Sequence, residues 1–181
     1  SVLAPNLAQP TFACHNANLR KEVIMYNAIL VILIIVLVIY ALKRAGVGGP
    51  RDEENMAKGS EFLKKNLERP EVTETESGLQ YEVLEQGEGT EKPTATSKVT
   101  VHYHGSLING SVFDSSVTRG EPISFGLNQV IPGWTEGVQL MSVGDKYRFY
   151  IPSDLGYGNR GVGSIPAGSV LIFEVELLGI N

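Results

Sequence analysis

From Ser77 to the end of the 181-residue chain, apolar side chains recur at every second position. Leu79, Tyr81 and Val83 alternate with polar residues, as do Val99, Val101 and Tyr103, then Tyr147, Phe149 and Ile151, and finally Leu171, Phe173, Val175 and Leu177. A period of two turns one side of each segment to a core and the other to water, which predicts four half-buried strands. Asn109-Gly110 breaks the pattern between HYHGSLI and SVFD. Both residues tolerate positive φ, so a hairpin is predicted there. Helical spacing occurs in this region only from Trp134 to Met141, with Trp134, Val138 and Met141 on one face. The connections are too short for crossover helices between parallel strands. The expected class is α+β: an antiparallel sheet of five to six strands curled around one short helix.

Upstream the pattern changes. Residues 23 to 42, VIMYNAILVILIIVLVIYAL, contain Asn27 as their only strongly polar side chain. Twenty helical residues rise roughly 30 Å, the depth of a bilayer's hydrocarbon core, so a transmembrane helix is predicted. Tyr26 and Tyr40 near its ends, and Arg20, Lys21, Lys43 and Arg44 around it, suit the two headgroup regions. No small-residue cleavage site follows, which argues against a removed signal peptide. Gly46 to Pro50 reads as a flexible joint. Residues 56 to 68 then place Phe62, Leu63 and Leu67 on one face of a short amphipathic helix, with Ser60 as candidate N-cap and Pro70 as its stop. The acidic stretch 71 to 76, EVTETE, reads as a solvated spacer. The chain thus divides into an N-terminal segment (1–22), a membrane helix (23–42), a linker with a short helix (43–76) and a sheet domain (77–181).

Charge divides in nearly the same place. Residues 1 to 70 carry nine basic and six acidic side chains, whereas residues 71 to 181 carry six and fourteen. A domain this acidic does not work by coating phosphate backbones, so no nucleic-acid partner is expected. The single cysteine, Cys14, excludes a disulfide scaffold and a multi-cysteine zinc site. Gly156 to Gly161 fits G-x-G-x-x-G, but the following VGSIPAG cannot open the helix that phosphate binding needs. His102 and His104 share one strand face without a third ligand at metal spacing, so a solvated outer-face pair is expected and no metal. Asn109-Gly-Ser111 has the form of a glycosylation sequon, which its turn role explains.

What remains is a concentration of aromatic and apolar residues with few polar ones: Tyr103, Phe113, Asp114, Phe125, Val130, Ile131, Trp134, Tyr157, Ile165 and Phe173. Each alone suits a core position. Asp114 and Tyr157 stand out, because a carboxylate and a phenol among apolar neighbours need partners. Four blocks, VHYHGSLINGSVFDSS (101–116), VIPGWTEGVQLMSVGDK (130–146), IPSDLGYG (151–158) and SIPAGSVLIFEVELL (164–178), together resemble the FKBP-type, macrolide-binding peptidyl-prolyl cis-trans isomerases. The resemblance covers about residues 77 to 181 with the blocks in family order. Residues 61 to 84 also resemble bacterial members that carry an N-terminal extension. Nothing in the family accounts for residues 1 to 22.

The resemblance implies a pocket with Trp134 as its floor and Tyr103, Phe113, Phe125, Val130, Ile131 and Phe173 around a bound proline ring. It implies that Asp114 accepts a hydrogen bond from Tyr103, that Arg119 supports Asp114, that the Ile131 backbone N–H takes a substrate carbonyl, and that Tyr157 donates from a loop above. Ile123 stands where an aromatic is frequent in the family, and the loop Asn159 to Ser164 is short and glycine-rich; both bear on substrate preference. The implied ligands are proline-containing polypeptides and macrolides such as tacrolimus or rapamycin, with no cofactor. A membrane-tethered, chaperone-like module that binds proline peptides with little turnover, and a scaffold that self-associates through anchor and helix, are alternative classes. The expected location is a bacterial inner membrane. Flanking charge favours a cytoplasmic domain, whereas the resemblance favours a periplasmic one, and the orientation stays open.

Overall fold

The computed structural model describes residues 50–181; the apolar run 23–42 and its predicted membrane helix lie outside the described residues. Among the described residues no helix is long and apolar enough to cross a membrane.

The four predicted strands are present as β2 (Gln80–Glu85), β3 (Lys98–Leu107), β6 (Lys146–Ile151) and β7 (Leu171–Ile180). Three short ones join them: β1 (Thr73–Glu74), β4 (Val112–Ser115) and β5 (Ile123–Gly126). The result is a seven-stranded antiparallel sheet in the order β1-β2-β6-β7-β3-β4, with β5 also paired to β3. This exceeds the expected five to six because β4 and β5 share one edge of β3 in succession. β5 pairs Lys98 to Val101 and β4 pairs His104 to Ser106.

One side of the sheet carries the core. Val101, Tyr103 and Leu107 of β3 stand beside Leu177, Val175 and Leu171 of β7, and Phe149 and Ile151 of β6 continue the layer. The short helix closes this side as α3 (Pro132–Val138), with Pro132 in its first turn, where a missing N–H costs nothing. Two glycines a turn apart let it approach closely. A Cβ on Gly133 would stand 2.5 Å from Ile151 Cγ2, and one on Gly137 2.8 Å from Phe149 Cε1. α3 ends before Met141, shorter than the predicted 134 to 141, yet Met141 is fully buried.

The Asn109-Gly110 hairpin connects β3 to β4, but only Gly110 adopts positive φ, at 82°. Asn109 acts instead through its side chain, whose Oδ1 accepts from Ser111 N at 2.9 Å.

Two linker expectations are corrected. The helix runs from Pro50 to Asn66 as α1, six residues earlier than predicted, so Ser60 lies within it and is not its cap. Acidic Asp52 and Glu53 in its first turn and Lys64 and Lys65 in its last complement the helix dipole and explain the longer extent. The stretch 71 to 76 is not simply a solvated spacer either, since Thr73 and Glu74 pair with Tyr81 and Gln80. The sheet's outer face therefore has a cover that strand alternation alone did not reveal. Gln80 and Glu82, polar positions of β2 expected to face water, are buried, while Val83 is exposed. The Phe62 ring lies 5.9 Å from that of Tyr150, Gln80 Nε2 donates to Leu63 O at 3.1 Å, and Asn66 Nδ2 donates to Gln80 Oε1 at 3.0 Å. Glu82, in register with Arg148 and through it with Glu174, is paired by both Arg148 and Arg69 and accepts from the Tyr150 hydroxyl at 3.3 Å. A buried carboxylate needs that many partners.

Candidate active site

Between the core side of the sheet, α3 and the segments after β5 and β6 lies a cavity of about 620 Å³. Its floor is Trp134, whose own exposure is only 6%. Three rings meet the indole edge to face: Tyr103 at 5.5 Å and 88°, Phe173 at 5.1 Å and 85°, and Phe125 at 5.4 Å and 67°. Phe113 packs on Phe173 in the same manner, 5.3 Å and 82°. Edge-to-face pairs contribute about 0.5–1.5 kcal/mol each beyond burial, so the ring cluster holds its shape while one side stays open for a ligand.

A β-bulge sets the polar edge of the cavity. Along a regular strand the adjacent residues Phe113 and Asp114 would face opposite sides. The β3–β4 register slips between Gly105 and Ser106, which pair with Asp114 and Val112, leaving Phe113 as the extra residue. Both side chains consequently line the cavity. Gly105 makes room for them: a Cβ there would lie 2.6 Å from Phe113 Cε2 and 2.8 Å from Phe173 Cε1. A glycine inside a strand was the sequence signal for this close approach.

Asp114 accepts a short hydrogen bond from the Tyr103 hydroxyl and pairs with Arg119. Arg119 Nη2 also reaches the Tyr103 oxygen at 3.1 Å, and its guanidinium lies 5.8 Å from that ring's centroid. The turn that returns Arg119 is α2 (Ser116–Arg119), capped by Ser115, whose side chain accepts from Thr118 N, and closed by Gly120 at φ 74°. Burial pushes the Asp114 carboxyl upward, but the Tyr103 hydroxyl and Arg119 outweigh it and hold the group below its ordinary value. Burial, with Asp114 adding to it, raises the Tyr103 phenol, which stays protonated. Hydroxyl, carboxylate and guanidinium thus form a fixed dipolar edge with no group poised to exchange a proton near neutrality.

Eleven of the twelve residues picked from the sequence line this cavity: Tyr103, Phe113, Asp114, Ile123, Phe125, Val130, Ile131, Trp134, Tyr157, Ile165 and Phe173. Arg119 stands behind Asp114 instead of in the wall. Gln129, Val162, Gly163 and Ser164 also line it and carried no periodic signal. Val162 and Ile165 exchange two backbone hydrogen bonds of 2.9 Å, which fold that loop back on itself. His102 and His104 lie half-buried on the outer face, each ring Nδ1 3.0 Å from a serine hydroxyl, those of Ser116 and Ser115. They brace α2 and were expected to be solvated.

This sheet, short helix and aromatic cavity define a fold and site class that comparison makes specific. Residues 89–178 match the family model described as FKBP-type peptidyl-prolyl cis-trans isomerase, and residues 44–83 match that of the domain amino terminal to it. The chain is 61% identical over 128 residues to the FKBP-type peptidyl-prolyl cis-trans isomerase FkpA of Aeromonas hydrophila, covering 71% of this chain and 47% of that protein. It is 44% identical over 140 residues to the outer membrane protein MIP of Legionella longbeachae, covering 77% and 60%. The crystal structure of FkpA from Escherichia coli superposes with a TM-score of 0.71 at 38% identity, covering 89% of this chain and 72% of that one. The chain belongs to the FKBP-type peptidyl-prolyl cis-trans isomerase family. It spans about half the length of the curated relatives it matches.

Proposed function

We propose that the chain catalyses rotation about X-Pro peptide bonds in folding polypeptides, by binding the twisted amide in the aromatic cavity without covalent chemistry. The observation that carries this reading is the cavity itself, a ring-lined space floored by Trp134 with a polar edge of Tyr103 and Asp114 that Arg119 supports from behind. Rotation must overcome roughly 18–20 kcal/mol of amide resonance and moves no proton. As the amide twists, its C–N bond loses double-bond character and its charge separation falls. A dry, apolar wall favours that state over the planar amide, which is catalysis by differential binding.

In this reading the proline ring sits on Trp134 among Tyr103, Phe113, Phe125, Val130 and Phe173. The Ile131 amide takes the carbonyl that follows the ring, and the Tyr157 hydroxyl donates to the twisted segment from above. Asp114, fixed by Tyr103 and Arg119, supplies the one negative charge beside the rotating carbonyl carbon. Ile123, Val162 and Ile165 form the walls that meet the residue before proline, which favours apolar side chains there. Macrolides of the tacrolimus and rapamycin class fit the same apolar cavity as competitors. The reading extends to location: the apolar run 23–42 would anchor the chain as a single-pass protein of a bacterial membrane. A protease-coupled assay over prolyl peptides that vary in the residue before proline tests the reading. Turnover that is highest for apolar residues and lowest for acidic ones supports it, and absence of turnover with retained peptide binding would favour a binding module.

A further inference from the structure

The walls of the cavity differ in how they are held. Tyr103, Phe113 and Phe173 stand on paired strands, whereas Tyr157, Val162, Gly163, Ser164 and Ile165 come from the segment 156 to 168, whose only sheet-like pairing is the Val162–Ile165 bridge. Its ends are joined through Gly168 N, which donates to Gly158 O at 2.9 Å, next to Tyr157.

That junction lies against α1. Asn55 Nδ2 donates to Ala167 O at 3.0 Å. A Cβ on Gly168, which has φ 71°, would stand 2.7 Å from both Asp52 O and Met56 Cγ. One turn further along, a Cβ on Gly59 would stand 2.7 Å from Val170 Cγ2. Helix and segment therefore touch at backbone distance, with glycine on both sides, and Ala167, Gly168 and Val170 are buried. The other end of α1 is fixed to the sheet by Phe62, Leu63 and Asn66, so its first turns cannot shift freely.

We propose that the first turns of α1 form the seat of the 156–168 segment, and that Asn55 is a positioning residue that holds Tyr157 and Ile165 at the cavity through Ala167. The proposal rests on the reading of the cavity as the X-Pro site. Asn55 ties α1 to this segment through its side-chain amide. Its amide fixes a carbonyl two residues from Ile165, and the adjoining Gly168 is bonded to the residue after Tyr157. Losing the donor frees the segment without opening the core.

The test is made in the full chain with Asn55→Ala, Asn55→Asp and Asn55→Gln. Asn55→Ala is expected to lower kcat/KM on a prolyl peptide by about three- to tenfold, the loss typical of one neutral hydrogen bond. Asn55→Asp keeps the size but cannot donate and should lose as much, while Asn55→Gln keeps a donor and should recover part. Amide exchange at Gly158 and Gly168 should quicken while β3 and β7 stay protected. The loss should shrink when Tyr157→Phe is already present and persist in full on Asp114→Leu, which a general loss of stability would not do. Unchanged kcat/KM in Asn55→Ala, or equal losses on both backgrounds, overturns the proposal. If the wild-type chain shows no isomerase activity the functional reading fails instead, and the exchange at Gly158 and Gly168 alone decides the seat: quickened exchange upholds it, unchanged exchange overturns it.

Discussion

Asp114 stands directly opposite Gly105 in the β3–β4 register, yet its carboxylate bonds the hydroxyl of Tyr103, two residues back on the same strand. The diagonal is possible because the bulge turns Phe113 and Asp114 to one side and Gly105, lacking a Cβ, lets the Phe113 and Phe173 rings close in beside it. Asp114→Leu removes the acceptor and leaves the Tyr103 hydroxyl with Arg119 as its remaining polar neighbour. It should lower kcat/KM by a factor corresponding to about 1–3 kcal/mol. Tyr157→Phe removes one donor, keeps the ring and should be milder. Steady-state kinetics with one prolyl peptide checks the order, and a larger loss in Tyr157→Phe contradicts it.

Gly105→Ala adds one methyl group where Phe113 and Phe173 already converge. Overpacking at such a site typically costs about 1–3 kcal/mol of stability. The displaced rings should narrow the cavity as well, so macrolide affinity should fall further than the melting temperature suggests. Calorimetry of both quantities on one preparation is the check, and unchanged affinity would place the rings elsewhere.

The pH dependence follows from the signs of two shifts. Asp114 is held below its ordinary value, so its contribution to stability is complete above the range of a free carboxylate, about pH 4, and fades as pH falls through the depressed value. Tyr103 is raised, so its contribution is complete below about pH 10 and fades above it. Between these limits neither group titrates, and kcat/KM should be flat from about pH 6 to 8. A bell centred near neutrality would demand a proton-transferring group that this site lacks.

Deleting residues 1–70 exposes Gln80 and Tyr150 and takes Arg69 from the buried Glu82 carboxylate. Residues 71–181 should therefore unfold at lower urea than residues 50–181, whereas a mere solvated spacer at 71–76 would leave the two alike. Equal midpoints would show that α1 merely rests on the sheet.

The core side of the fold was legible because alternation reports burial directly: Val101, Tyr103, Phe149, Phe173 and Val175 were placed by period alone. The outer face was not, because Gln80 and Glu82 look like solvent positions until a helix covers them, and a buried ion pair has the same sequence signature as an exposed one. β4 and β5 were too short for a periodic signal. Nearly all of the cavity was found through aromatic residues in recognisable blocks, whereas the bulge that brings Phe113 and Asp114 together depends on a register no single strand encodes. Gln129, Val162, Gly163 and Ser164 enter through loop geometry, for which only the glycines gave a hint.

Magnetisation-exchange NMR on a prolyl peptide reads X-Pro rotation directly, and so tests whether the aromatic cavity speeds it without proton transfer. Uncatalysed cis-trans exchange takes tens to hundreds of seconds. With substoichiometric full chain the cis and trans signals should exchange far faster, equally at pH 6 and pH 8, and the acceleration should vanish when a macrolide fills the cavity. Exchange that stays at the uncatalysed rate, or that persists with the cavity filled, would contradict the account.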